Sequence, residues 1–314
     1  MIARVTEYFS RLADGFGQGW TRFWFTPSDA ATVSAIRLGV GLIVVYLHAT
    51  LSLDLVALFG PDGLLPVADI EPLEGGAFSY LNYLRTPGEL WAVHLAGLAV
   101  LVLFTAGLWT RVTSILALVV FLSDVHRAPM ITGPTEPVVA FLLLYLCVAP
   151  CGRRYSLDRL LARRADAKQA DAWSAQPLTT ATIAARLIQV HLALLVGLMA
   201  FSQLAGDVWW TGMGMWWLIT RQESRLVDFS WLYQYPLLIA AWTHLVVLFE
   251  LSFAALIWVP LARPLLLALG VMVWGSLALV TGDLPFAAAL IVANLAFVSP
   301  ATFLACCRVG AKAA

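Results

Sequence analysis

The stretch IAARLIQVHLALLVGLMAFSQLA, residues 183–205, decides the fold, because it holds one charged residue, Arg186, in a run long enough to cross a membrane. A helix needs roughly 20 predominantly apolar residues to span the hydrocarbon core. Further apolar runs lie at residues 34–59, 90–109, 112–125, 137–149, 236–259, 265–280 and 285–299. The sequence therefore predicts an all-α, polytopic transmembrane helical bundle of about eight membrane segments.

The composition agrees with this prediction and excludes some partners. Hydrophobic residues make up 61% of the chain, charged residues 12%, and the mean hydropathy is +0.84, so we expect the lipid bilayer to be the solvent. The formal net charge is zero and no long basic run is present, so nucleic-acid binding is not expected. We predict a cytoplasmic N-terminal segment (1–30), one transmembrane domain (31–304) and a cytoplasmic tail (305–314).

The distribution of cations predicts the orientation, since cytoplasmic loops collect Lys and Arg. With the N-terminus inside, the outer side receives only Arg85, Arg127, Arg221 and Arg225. The inner side receives Arg4, Arg11, Arg22, Arg111, Arg153, Arg154, Arg159, Arg163, Arg164, Lys168, Arg263, Arg308 and Lys312. Both termini are thus predicted to be cytoplasmic, whether 112–125 and 137–149 fully span or form a re-entrant hairpin. We expect a multi-pass protein of the bacterial cytoplasmic (inner) membrane.

Ionisable residues within the apolar runs are candidates for function or for structural pairing. Glu250 is the carboxylate nearest the middle of a run, and its structural alternative is a hydrogen-bonded packing residue paired with His191. The histidines of the runs lie singly on different segments without the i, i+4 spacing of metal ligands, so no metal site is predicted. Arg37 and Arg186 lie near predicted inner ends, where a long side chain can reach the interface.

Polar side chains also collect at the predicted outer ends of the segments. Ser202, Gln203 and Asp207 close the fifth segment, with Trp209 and Trp210 beside them. Aromatic residues at that depth are typical of an interfacial belt, which we favour over a binding platform. Together with the loop before the fourth segment they predict an outer-leaflet pocket. Its candidate residues are Gln203, Asp207, Glu136, Thr135, His126, Arg127, Glu250, Trp209 and Trp210.

Four motifs in a fixed order carry a family resemblance. They are TRFWFTPSD at 21–29, AIRLGVGL at 35–42, LFGPDGLLP at 58–66 and PCGRRYSLDRL at 150–160. In these motifs the chain resembles the HTTM family, the membrane domain shared with vitamin K-dependent gamma-carboxylases, over about residues 20–300.

The resemblance implies two catalytic positions. In the animal carboxylase a lysine at the outer end of the fifth helix deprotonates vitamin K hydroquinone, and a histidine before the fourth segment assists at the substrate glutamate. The lysine position falls here on Gln203 or Ser202, and the histidine position on Thr135 or Glu136. Both positions depart from the family pattern.

The departure at the lysine position argues against lysine-dependent carboxylation. The lysines of the chain are Lys168 and Lys312, both predicted to be cytoplasmic, and a glutamine amide cannot act as a base. Our first hypothesis is therefore a divergent member that binds a quinone or vitamin K-like hydroquinone, a lipid, or a membrane-associated peptide or protein partner. The second is a carboxylase-like or quinone-redox enzyme with relocated groups, such as Glu136 or His126. A secondary transporter is a weaker alternative, because no inverted repeat is visible.

Overall fold

The protein is described by a computed structural model that covers residues 2–60, 63–67, 77–221 and 226–305, with side chains from residue 7 onward. Helix makes up 78% of it, and within these ranges there is no strand, only an isolated bridge between Ser28 and Leu178. The prediction of an all-α protein is confirmed. The predicted tail lies outside the described residues except for residue 305, as do Arg225, Arg308 and Lys312 of the orientation argument.

The helices follow the apolar runs of the sequence. In chain order they are α1 (Ile2–Phe25), α2 (Ala31–Leu51), α3 (Leu55–Phe59), α4 (Pro87–Ala106), α5 (Thr110–Arg127), α6 (Thr135–Val148), α7 (Leu157–Ala165), α8 (Ala167–Ala175), α9 (Thr179–Leu204), α10 (Asp207–Trp210), α11 (Gly214–Ile219), α12 (Pro236–Leu256), α13 (Arg263–Thr281) and α14 (Leu284–Asn294). In the described chain five of them, α2, α4, α9, α12 and α13, are long and apolar enough to cross a membrane. The chain is thus a multi-pass membrane protein, while the number of eight segments stays a prediction.

The first predicted segment, 34–59, is wrong as a single helix. Helix α2 ends at Leu51 and α3 begins at Leu55. Between them the hydroxyl of Ser52 lies 2.7 Å from the Nε2 atom of His94 on α4. The run is thus divided at residues 52–54, and α2 keeps the length that a membrane span requires.

The third predicted segment, 112–125, extends further than expected. Helix α5 continues to Arg127, so Asp124, near the end of the predicted segment, lies within the helix. The side chain of Asp124 is 13% exposed. This carboxylate, which is not among the predicted pocket residues, is therefore part of the helix bundle and enters the candidate site.

The bundle is held by apolar packing between neighbouring helices. Helix α2 packs along α4, α9 along α12, and α13 along α14. The centre of the core contains Ile36, Leu142, Ile188, Phe253 and Leu290, all fully buried and each from a different helix. Because lipid is as apolar as these side chains, close packing and interhelical hydrogen bonds stabilise such a bundle more than hydrophobic burial does.

At one end of the bundle, the first and last of the four motifs contact each other. Arg154 donates from Nε and Nη2 to both carboxylate oxygens of Asp29, at 2.7 and 2.5 Å. Arg37 of α2 donates to the backbone carbonyl oxygen of Tyr155. Arg37 is 0% exposed, so its guanidinium is held by the protein and not by water, and its depth relative to the interface stays a prediction. We call this region the arginine-rich end; it holds Asp29, Arg37, Arg154 and the neighbouring loops.

Asp158 of the last motif forms the N-terminal cap of α5 at the same end. Its carboxylate accepts from the backbone N–H of Trp109 at 2.8 Å and of Thr110 at 3.1 Å. Its own N–H donates to the carbonyl oxygen of Gly107, which ends α4 with φ +76°. Unpaired N–H groups at a helix start favour such a carboxylate. The motif thus orders the α4–α5 turn.

We expect residue 167 to face the cytoplasm and residue 77 the outside, as the cation distribution predicts. A cysteine introduced at Ala167 should resist an impermeant maleimide in intact cells, and one at Ala77 should react. Both positions are accessible in the structure. The unsubstituted protein is the control for labelling of Cys147 and the other native cysteines. The reverse labelling pattern would contradict the orientation.

Candidate functional site

Gln203 and Glu250 are brought together in the bundle. The Nε2 atom of Gln203 lies 3.3 Å from Oε1 of Glu250, which is 0% exposed. The suggested pairing of Glu250 with His191 is wrong, since His191 Nδ1 lies 2.9 Å from the Tyr145 hydroxyl. The ring of His191 also stacks on Phe141 at a centroid distance of 4.0 Å. Aromatic partners on α6 therefore hold this histidine, and Glu250 has a neutral amide as its partner.

The residues that follow α9 are divided between the protein interior and the surface. Trp209 packs against Met215 in a small apolar cluster, whereas Trp210 is 64% exposed and donates from its indole N–H to the Leu204 carbonyl oxygen at 2.5 Å. Asp207 is exposed. An exposed indole near a helix end agrees with the interfacial belt that the sequence predicts.

Thr135 and Glu136 begin α6 and point to different partners. The Thr135 hydroxyl donates to Oδ1 of Asp283 at 3.0 Å. Glu136 accepts from the backbone N–H of Gly133 at 2.7 Å. Within the described chain no hydrogen bond or ion pair joins Glu136 to Gln203. The pocket that would combine these two residues therefore stays a prediction.

His126 and Arg127 hold the neighbouring loops against the end of α5. His126 Nδ1 donates to the carbonyl oxygen of Phe78 at 2.8 Å. Arg127 is 1% exposed and donates to the carbonyl oxygen of Leu65. Its guanidinium carbon lies 5.4 Å from the centre of the Phe59 ring. Phe59 and Leu65 belong to the third motif. These contacts give Arg127 a structural role at the end of the bundle opposite to the arginine-rich end.

A buried histidine–carboxylate pair lies next to these residues. Nδ1 of His48 on α2 lies 2.6 Å from Oδ2 of Asp124 on α5, although 76 residues separate them in sequence. Nε2 of the same ring lies 3.0 Å from the carbonyl oxygen of His94. His48 is 3% exposed. Three helices, α2, α4 and α5, therefore hold this pair in place.

The geometry fixes the number of protons that the pair holds. Nε2 of His48 must donate, since a carbonyl oxygen can only accept. Nδ1 and the Asp124 carboxylate must then share one proton, because two unprotonated acceptors would repel each other at 2.6 Å. The pair is either imidazolium with carboxylate or imidazole with carboxylic acid. Both forms are neutral overall, which lowers the cost of burial.

His94 extends this group of residues. Its ring stacks on that of His48 with centroids 4.2 Å apart and planes 17° apart, and its Nε2 atom lies 2.7 Å from the Ser52 hydroxyl. Two stacked imidazolium ions would repel each other, so at most one of the rings carries a charge at a time. Among the described residues, no three His, Cys, Asp or Glu side chains are arranged to hold a metal ion. We call His48, Ser52, His94 and Asp124 the histidine cluster.

A cavity of about 220 Å³ adjoins the histidine cluster. Its wall includes His48, Asp124 and Glu136, and most of the other lining side chains are apolar, such as Leu51 and Phe121. An apolar cavity with a few convergent polar groups is the usual form of a small-molecule site. The volume is below the roughly 300–1,000 Å³ of typical ligand pockets, so it would take a head group and not a whole lipid.

Sequence reasoning found only part of this site. The predicted pocket residues include Glu136 but neither Asp124 nor the histidines of the apolar runs, which lie singly on different segments. The signal was three ionisable residues in apolar runs, His48, His94 and Asp124. Only the packing of α2 against α4 and α5 shows that they meet.

Comparison with models of known protein families, with curated proteins and with solved structures gives no match. Fold and sequence together define the class: a multi-pass, all-helical integral membrane protein whose apolar helices contact the lipid bilayer.

Proposed function

We propose that this membrane protein is of the HTTM type and binds the head group of a quinone or vitamin K-like hydroquinone in the cavity beside the histidine cluster. A lipid and a membrane-associated peptide are the other ligands that the cavity could take. The observation that carries the proposal is the His48–Asp124 pair, a neutral group holding one shared proton in the wall of a mostly apolar cavity. The proposed location is the bacterial cytoplasmic membrane, with the cavity in the outer leaflet.

Proton chemistry favours a quinone over a ligand that only fills space. Reduction of a quinone adds protons to its oxygens, and oxidation of the hydroquinone releases them. The pair can exchange its shared proton with a bound quinone, and it stays neutral only when a second group replaces or removes that proton in the same step. Glu136, half-buried in the same cavity wall, offers a second carboxylate that could return the proton to water.

The same pair favours one alternative function, an enzyme with relocated catalytic groups. Gln203 stands where the resemblance expects a lysine base, and its amide is bonded to Glu250. His48 with Asp124 could accept a proton in place of that lysine. This alternative is a quinone-redox or carboxylase-like enzyme, and it needs turnover as well as binding.

Mass spectrometry of small molecules retained by the protein in mild detergent tests the proposal. We expect a quinone to be retained by the unmodified protein and largely lost from a Phe121→Trp variant, which narrows the cavity. Asp124→Asn keeps a hydrogen bond to His48 and should retain the quinone, but without the proton exchange that reduction requires. Exposed Leu64→Trp is the matched control for the added ring. Retention of a phospholipid alone, or of nothing, would contradict the quinone assignment.

We expect the unmodified protein not to carboxylate peptide glutamates, since Gln203 stands at the position that the resemblance assigns to the lysine base and no lysine lines the cavity beside the histidine cluster. The measurement is incorporation of labelled bicarbonate into a Glu-containing peptide with reduced vitamin K. A Gln203→Lys variant is assayed in parallel with the unmodified protein. Incorporation by the unmodified protein would favour the relocated-base enzyme, and incorporation by the variant alone would locate the missing base at residue 203.

A further inference from the structure

A second polar cavity, of about 240 Å³, lies at the arginine-rich end of the bundle. Three guanidinium groups from three helices line it: Arg22 of α1, Arg186 of α9 and Arg263 at the start of α13. The carboxylate among its lining residues is that of Asp29. Three cations around one small cavity are unfavourable unless an anion compensates them.

Asp29 does not neutralise these three cations, because its carboxylate is already paired with Arg154. Both of its oxygens accept from Arg154, and Oδ1 also accepts from the backbone N–H of Ala31 at 2.8 Å. Over the described ranges, no ion pair includes Arg22, Arg186 or Arg263. The cavity wall therefore has an excess of positive charge.

The arginines keep donors for a ligand. Arg186 donates from Nε to the Phe23 carbonyl oxygen at 3.2 Å and from Nη1 to Gln189 at 2.8 Å, which leaves Nη2. Arg263 donates to two backbone carbonyl oxygens of the preceding turn from Nε and Nη2, which leaves Nη1. Arg22 is exposed, and its guanidinium makes no hydrogen bond to another described side chain. The planar guanidinium groups of Arg186 and Arg263, both half-buried, present N–H donors in a fixed geometry that matches the oxygens of a phosphate.

Helix α1 places this cavity at a membrane surface. Its side chains Phe9, Leu12, Phe16 and Trp20 lie on one face at helical spacing and are 60, 55, 71 and 53% exposed. A long helix with such a face and a charged opposite face lies in the interface of a bilayer. Leu261, two residues before Arg263, is 91% exposed and would enter the same lipid layer.

We propose that the cavity between Arg22, Arg186 and Arg263 binds the phosphate group of an anionic phospholipid, while α1 lies in the surface of the same leaflet. The acyl chains would extend from the cavity along the exposed apolar residues of α1 and the α12–α13 turn. This site is separate from the histidine cluster. The arginines would bind the phosphate through its negative charge, and no proton transfer is involved. Inorganic phosphate has the same head-group chemistry, so the test must distinguish the two sources.

Native mass spectrometry of the full chain in detergent gives the test, with phosphatidylglycerol, phosphatidylcholine and inorganic phosphate as separate probes. We expect selective retention of phosphatidylglycerol. Arg22→Gln should weaken its apparent affinity about tenfold, the effect of losing one charge-assisted contact. Because Arg22 is exposed, this variant should fold normally. Arg263→Gln should weaken binding similarly, provided that its melting temperature without lipid is unchanged.

The matched control is Arg164→Gln, an exposed arginine of α7 that does not line the cavity. It should bind phosphatidylglycerol as the unmodified protein does. Equal retention of the two lipids, or equal weakening by Arg164→Gln and Arg22→Gln, would overturn the site. Stabilisation by inorganic phosphate to the same melting temperature as by phosphatidylglycerol would overturn the lipid as its occupant.

Discussion

Replacing Asp124 with alanine is expected to lower the free energy of unfolding by about 3 kcal/mol, between the cost of an unpaired buried polar atom and that of a broken buried ion pair. The substitution leaves Nδ1 of His48 without its partner at 2.6 Å, in a ring that is 3% exposed. Thermal unfolding in detergent, or unfolding in a denaturant series, measures the loss.

Asp124→Asn separates the hydrogen bond from the charge. The asparagine amide can donate to Nδ1 of neutral His48, so the loss should stay below about 1 kcal/mol. Asp54→Ala, at an exposed position near the same end of the bundle, is the control and should change stability little. If Asp124→Ala were no more destabilising than Asp54→Ala, the pair would not be a structural element of the bundle.

A second large effect is expected for Gly107→Ala at the arginine-rich end. Gly107 has φ +76°, which costs a residue with a Cβ atom about 1–2 kcal/mol. The added methyl group would also overlap Nη1 of Arg37 and the side chain of Ser156, both of which are buried. We expect a total loss of at least about 3 kcal/mol, seen as a lower melting temperature or as failure to accumulate.

The control for Gly107→Ala is Gly275→Ala. Gly275 lies inside α13, and a Cβ atom there meets nothing within 4 Å. Alanine should therefore leave stability unchanged or raise it by about 0.5–1 kcal/mol through helix propensity. Equal losses at the two positions would mean that the contact between Gly107 and Arg37 does not limit stability.

The apolar runs predicted where the long helices lie because a membrane span depends mainly on length and hydrophobicity, both of which are local properties. The predicted bounds 34–59 and 112–125 were wrong: the first run is broken at residues 52–54, and the helix of the second continues to Arg127. Ser52, just after one helix, bonds to His94, and Asp124, inside another helix, bonds to His48. Composition alone could not separate these two outcomes.

The candidate site was harder to predict than the helices, since it depends on which helices are neighbours. Residues 48, 94 and 124 come together only through the packing of α2, α4 and α5. Glu250 was expected beside a histidine and is bonded to Gln203. Helix α1 was not predicted for a different reason: its aromatic residues recur at helical spacing among polar residues and do not form a continuous apolar run.

The contact between Arg37 and Tyr155 has a consequence for biosynthesis. The first span leaves the ribosome with an arginine in it, and the carbonyl group that accepts its hydrogen bond is 118 residues further along the chain. Until that segment is made, the guanidinium of Arg37 must stay hydrated at the membrane surface. The first span should therefore settle to its final depth only after residues 150–158 have emerged, so a chain truncated before residue 150 should hold it in a shallower position.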